Sequence, residues 1–83
     1  MPNSTGRDFP SMRGAAFLAL LRREPLKYHV ERQKGSHRTM VSPNGYPELR
    51  FAFHDSQEIP KGLIRVILTQ RIGLSEEEAL ELF

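Results

Sequence analysis

Eighty-three residues with no cysteine and a formal net charge of +2 fit one domain, and they exclude a disulfide framework, a thiolate metal site and a thiol nucleophile. No apolar run approaches the ~20 residues of a membrane span, and the N-terminus lacks a signal peptide's apolar stretch, so the expectation is a cytoplasmic protein without membrane contact. The charge is uneven: residues 76 to 83 hold four acids and no base, which leaves twelve Lys and Arg against six Asp and Glu in residues 1 to 75. Such a basic body suits a polyanion such as nucleic acid, although ordinary solubility alone accounts for charge of this kind.

Residues 1 to 10 are polar, with two prolines and a glycine, and read as a flexible lead-in to a single domain over residues 11 to 83. Ser11 can cap a helix running to about Arg23, with Phe17, Leu20 and Leu21 on one face, ended by Pro25. Gly14 inside that helix costs about 1 kcal/mol relative to alanine, so its first turn is expected to fray. From Lys27 to Gln33 the alternation of Tyr28, Val30 and Arg32 with His29, Glu31 and Gln33 reads as a half-buried strand.

Gly35-Ser36 makes the turn into a second strand, His37 to Ser42. There Met40 is the core anchor, so period-2 alternation turns His37 and Thr39 outward. Pro43-Asn44-Gly45 signals a hairpin into a third strand, Glu48 to Phe53, with Leu49, Phe51 and Phe53 on one face and Arg50 on the other. Ile59-Pro60-Lys61-Gly62 opens a helix that runs through Ile72 to a stop at Gly73. Ser75 and Glu78 form a capping box for a short last helix, Glu76 to Leu82. The order is helix, three-stranded antiparallel sheet, helix and short C-terminal helix, an α+β fold with both long helices on one face of the sheet.

The chemistry concentrates in Arg32-Gln33-Lys34-Gly35-Ser36-His37. An imidazole with an ordinary pKa of about 6.5 exchanges protons near neutrality, and Arg32 and Lys34 can hold a phosphate beside it. Lys61, beside the free N–H groups of a helix N-terminus, adds a second anion-binding element. Three separated histidines, with no cysteine and no His-x-x-x-His spacing, do not match a zinc site. A charged hairpin is also a common solvated surface, so the residues alone leave catalysis and plain binding open.

The cluster Arg32 to His37, Pro43-Asn44-Gly45, Ile59-Pro60-Lys61-Gly62 with Leu63-Ile64-Arg65-Val66-Ile67-Leu68, and Gly73-Leu74-Ser75 before a tail ending Leu80-Glu81-Leu82 occur in an order and spacing that resemble the HicA family, the YcfA-like mRNA interferase toxins. The similarity covers residues 11 to 83. It implies a double-stranded-RNA-binding-domain-like fold and translation-linked cleavage of mRNA without metal or cofactor. It also implies neutralisation by a HicB-like antitoxin in a hetero-oligomer, within a type II toxin-antitoxin system of the stress response. By that resemblance the catalytic histidine falls on His37 and its turn on Gly35 and Ser36. Arg38 stands where many relatives have a histidine or an aromatic residue, and Leu63 where they often have a hydroxyl.

The expected reaction is attack of a ribose 2′-hydroxyl on the adjacent phosphorus, with His37 as general base. Arg32, Lys34, Arg38 and Lys61, with the Gly35–Ser36 turn, make up the RNA-binding set. His29 and His54 are the two candidates for a general acid. The alternatives are a non-catalytic RNA-binding module of the same fold and a subunit that binds only its protein partner.

Overall fold

The computed structural model describes residues 8–83. Its first helix, α1, spans Gly14–Arg22 and starts later than the Ser11 cap predicts. Met12–Arg13 are instead extended as a short strand, β1, and Ser11 makes no capping bond. The first amides of α1 are met by backbone: Gly14 N–H donates to the Gln57 carbonyl (2.8 Å) and Ala15 N–H to the Asp55 carbonyl (3.0 Å). Carbonyls of a neighbouring turn thus satisfy the orphan donors that a side chain usually takes. Gly14 is buried, and a Cβ there would lie 2.2 Å from the His54 carbonyl oxygen. The expectation of a fraying first turn is corrected: close approach of backbone requires the glycine.

Strands β2 (His29–Lys34), β3 (His37–Val41) and β4 (Leu49–Phe51) form the antiparallel sheet in that order. Gly35 at φ 61° takes the first central position of the two-residue β2–β3 turn and is its only positive φ, the pattern of a type II′ hairpin. β3 pairs with β4 as Arg38 with Phe51, Thr39 with Arg50 and Met40 with Leu49. Opposed residues share a face, so Met40, Leu49 and Phe51, all buried, define the inner face. His37, Thr39 and Arg50 lie on the outer face, as alternation predicts.

One irregularity alters β2. Val30 pairs with Met40, but the next partners are Arg32 with Thr39, Gln33 with Arg38 and Lys34 with His37. Glu31 is the extra residue of a β-bulge, which reverses the side-chain alternation after Val30. Arg32, expected on the face of Val30, is therefore on the outer face with Lys34.

The third strand is shorter than the expected Glu48 to Phe53, and the Pro43-Asn44-Gly45 segment is a wider loop than a tight hairpin. Its polar groups are engaged elsewhere: Asn44 Nδ2 donates to the Pro25 carbonyl (2.7 Å) and the Ser42 hydroxyl to the Leu26 carbonyl. Tyr28 OH also donates to the Pro47 carbonyl (2.6 Å). These bonds tie the loop to the segment that follows α1.

A fifth strand, β5 (Glu58–Ile59), pairs with β1, an element that two residues on each side do not announce. Helix α2 (Lys61–Val66) continues as a π-helical turn, Ile67–Arg71, and stops at Gly73 with φ 93°, the predicted position. Helix α3 (Glu76–Leu80) begins with the predicted Ser75–Glu78 capping box. Phe17 and Leu21 of α1, with Ile64 and Leu68 along the second helix, pack with the sheet's inner face in one core. The α+β architecture of helix, three-stranded sheet and helix is the predicted one, and none of the described elements covers the outer face.

The expected lead-in falls largely on residues 1 to 7, outside the described residues. Phe9, however, is a core residue at 4% exposure and meets Phe83 edge-to-face, ring centroids 6.0 Å apart.

Gly14→Ala should lose about 1–3 kcal/mol, since a backbone carbonyl cannot yield as a side chain does. In thermal melts this appears as a drop of roughly 4–8 °C per kcal/mol. Burial, with Tyr46 nearby, pushes the Tyr28 hydroxyl up to about 12. The unfolded chain gives up that proton first, near 10, so stability falls as pH rises from 10 towards 12. Tyr28→Phe should flatten this part of the curve, as read by urea midpoints across that range.

Candidate active site on the open sheet face

The outer face gathers its chemistry at the hairpin end. His37 opens β3 directly opposite Lys34, and Thr39 is flanked by Arg32 on β2 and Arg50 on β4, a row of three across the sheet. Opposed Cβ atoms in such pairs lie about 4.5–5.5 Å apart, and successive same-face residues about 6.7 Å along a strand. A recess of about 340 Å³ opens here, lined by Arg32, Gln33, Lys34, His37 and Thr39. No carboxylate lines it. Among the described residues Arg32, Lys34 and His37 make no ion pair, whereas Lys27, Arg38, Lys61 and Arg65 each do. Arg50 is 80% exposed and only loosely matched by Glu48 at 4.0 Å. Cations held close together without counter-charges favour an anion, and the open recess admits an extended one.

The turn beside the recess is fixed by the Gln33 side-chain amide, which donates to the Gly35 carbonyl at 3.1 Å. Gly35 is exposed and Ser36 half-buried at the hairpin tip, both next to His37 as the sequence predicts.

Two residues of the predicted set are placed elsewhere. Arg38 points to the inner face, its side chain only 13% exposed. It donates to the Phe53 carbonyl (3.3 Å) and to Asp55 Oδ1 (3.2 Å), and its guanidinium lies 5.9 Å from the centroid of the Phe51 ring. Arg38 therefore lies on the opposite face from His37 and does not line its recess, because adjacent residues of a strand point to opposite faces. Lys61 starts α2 and pairs with Asp8 at 3.0 Å. That ammonium, with the Phe9 N–H, holds the Asp8 carboxyl below the ordinary carboxylate value. Lys61 does not line the recess.

The remaining histidines separate in space. His29 lies opposite Val41 on the outer face, and Val41 is two same-face steps along β3 from His37, which puts His29 about 14 Å away across the pair. That distance is too long for it to act on the same bond. His54 sits in the turn after β4, on the other flank of the Gly35–Ser36 tip. Thr39 and Arg50 complete the face without having been singled out as site residues, although the alternation that buries Leu49 and Phe51 already assigns Arg50 its side. Arg32's true side depends on the bulge, for which a run of charged residues carries no signal.

Among the described residues no group of three or more His, Cys, Asp or Glu is arranged to hold a metal ion, and no helix is long and apolar enough to cross a membrane. A search of curated proteins and a search of solved structures returned no match. A family model described as "HicA toxin of bacterial toxin-antitoxin" matches residues 16–72, more than half of the chain, from within α1 to the end of the π-helical turn and across the whole three-stranded sheet. The chain belongs to the HicA toxin family of bacterial toxin-antitoxin systems.

Proposed function

We propose that this toxin is a metal-independent endoribonuclease that cleaves mRNA on the open sheet face, and that a HicB-like antitoxin neutralises it in a hetero-oligomer. The observation that carries the reading is the Glu31 bulge, through which Arg32 and Lys34 share one face with His37 and Thr39. In this reading the phosphate of a single-stranded RNA sits between Lys34 and Arg32, with the preceding ribose toward His37.

His37, neutral, takes the proton of the 2′-hydroxyl. The freed 2′-oxygen attacks the adjacent phosphorus in line, and the bond from phosphorus to the 5′-oxygen breaks. The products are a 2′,3′-cyclic phosphate and a 5′-hydroxyl, the leaving oxygen taking its proton from water. A positioned base contributes about 10²- to 10⁴-fold. Lys34 and Arg32 act where charge grows on the non-bridging oxygens, and with no ion-pair partner among the described residues they keep their full effect on the phosphorane.

Expression of the wild type in a bacterium should arrest growth and fragment mRNA, while equally abundant His37→Ala does neither. If both proteins are harmless, or both equally toxic, the catalytic assignment falls and a binding module is the better account. Fragments should carry cyclic phosphate ends, and 3′-hydroxyl ends would overturn the 2′-hydroxyl mechanism. Binding to single-stranded RNA should separate the cations by their faces. Lys34→Ala should lower the slope of log K against log salt by about 0.7, the value for one phosphate contact on a single strand. Arg38→Ala should leave that slope unchanged and lower the melting temperature instead.

A further inference from the structure

The Gly35–Ser36 tip separates two recesses. Beyond the one that holds His37, a second of about 470 Å³ opens on the Arg38 side of the tip, lined by Gly35, Ser36, Arg38, His54, Asp55 and Ser56. Building on the ribonuclease reading above, we propose that this second recess is a base-recognition subsite. It takes the nucleotide adjoining the cleaved phosphodiester and favours a base with an exocyclic amino group.

The turn that forms its wall is held from several sides. Its carbonyls at Asp55 and Gln57 accept the first amides of α1, and Gly14 allows the His54 carbonyl to approach closely. Gln57 also closes the turn on itself, its N–H donating to the His54 carbonyl (3.1 Å) while its side-chain oxygen accepts from His54 N–H (3.2 Å). A subsite on so constrained a turn is preorganised, which limits the ordering cost of binding.

Asp55 supplies the selectivity. Arg38, fixed against Phe51 and the Phe53 carbonyl, donates to Oδ1 and so orients the carboxylate, whose side chain remains 64% exposed. Among the described residues Oδ2 has no hydrogen-bond partner. A carboxylate oxygen accepts and never donates, so it meets the amino group of cytosine favourably and the carbonyl at the same position of uracil unfavourably. The exposed His54 ring offers a stacking surface, and the Ser36 and Ser56 hydroxyls can serve a ribose 2′-hydroxyl. Ser36 and His37 are consecutive across the tip, so a strand with its phosphate beside His37 brings its next base to this recess.

The test uses the His37→Ala protein, which leaves bound RNA intact, with fluorescently labelled hexacytidylate and hexauridylate followed by anisotropy at low salt. The cytidine oligomer should bind about tenfold more tightly, the scale of one hydrogen bond to a charged group. Asp55→Asn, which can present an NH₂ where Oδ2 stood, should bring the ratio to one or below. His54→Ala should weaken both oligomers about fivefold or more. Its ring makes no hydrogen bond among the described residues, so this variant reports on the recess even if Asp55→Asn melts early. Equal affinities for the two oligomers, a ratio that Asp55→Asn leaves unchanged, or a His54→Ala protein that binds both as before would each overturn the subsite. Cleavage of the same oligomers by the wild type reads the underlying function separately. Discrimination without cleavage removes the ribonuclease reading, and cleavage without discrimination removes the subsite alone.

Discussion

The pairing of β2 with β3 is the constraint on which the make-up of the open face depends. An antiparallel ladder assigns faces by parity, so a single extra residue inverts everything beyond it. With regular pairing after Val30, Glu31 would oppose Thr39 and Arg32 would oppose Arg38. A carboxylate would then enter the recess, and two guanidinium groups would meet on the inner side. The bulge avoids both, and it does so within a segment whose residues are nearly all charged or polar, where no buried side chain enforces the register. The enforcement comes from the two ends, Val30 against Met40 and the closed tip at Gly35.

Arg38 joins the two halves of the structure. Its guanidinium reaches past the aromatic ring of Phe51 to the chain that leaves β4, and that same chain turns back to receive the N-terminus of α1. Sheet, helix start and the His54–Gln57 turn are therefore parts of one bonded unit. The β1–β5 pair extends this unit from the Gly14–Gln57 bond, and the Asp8–Lys61 and Phe9–Phe83 contacts hold the first described residues to α2 and the C-terminus.

Much of this was legible in the residues, and the reasons are local. The Ser75–Glu78 box, the Gly73 stop and the inward set of Met40, Leu49 and Phe51 each rest on a few neighbouring side chains or on strict alternation, and each appears where read. What escaped depends on distant backbone. Gly14 looked like a weak helix residue until the His54 carbonyl came within reach, and Ser11 lost its capping role to carbonyls more than forty positions away in sequence. Arg38 was grouped with the RNA-binding cations for its charge, although parity with Met40 already put it on the inner face; only its bonds to Phe53 and Asp55 lay beyond local reading. His37, by contrast, was placed by parity from Met40, without any long-range information.

The open outer face has a consequence for how such a sequence can change. Arg32, Lys34, His37 and Arg50 are exposed and contribute little to the core, which is built from the opposite side of the same strands. In the proposed reading, the residues around His37 and those that build the core are separate sets, so the usual trade between activity and stability would be relaxed on this face. A lineage could change the charge and hydrogen-bonding character of this face by single substitutions and still inherit a folded protein, leaving selection on the surface largely independent of selection on folding.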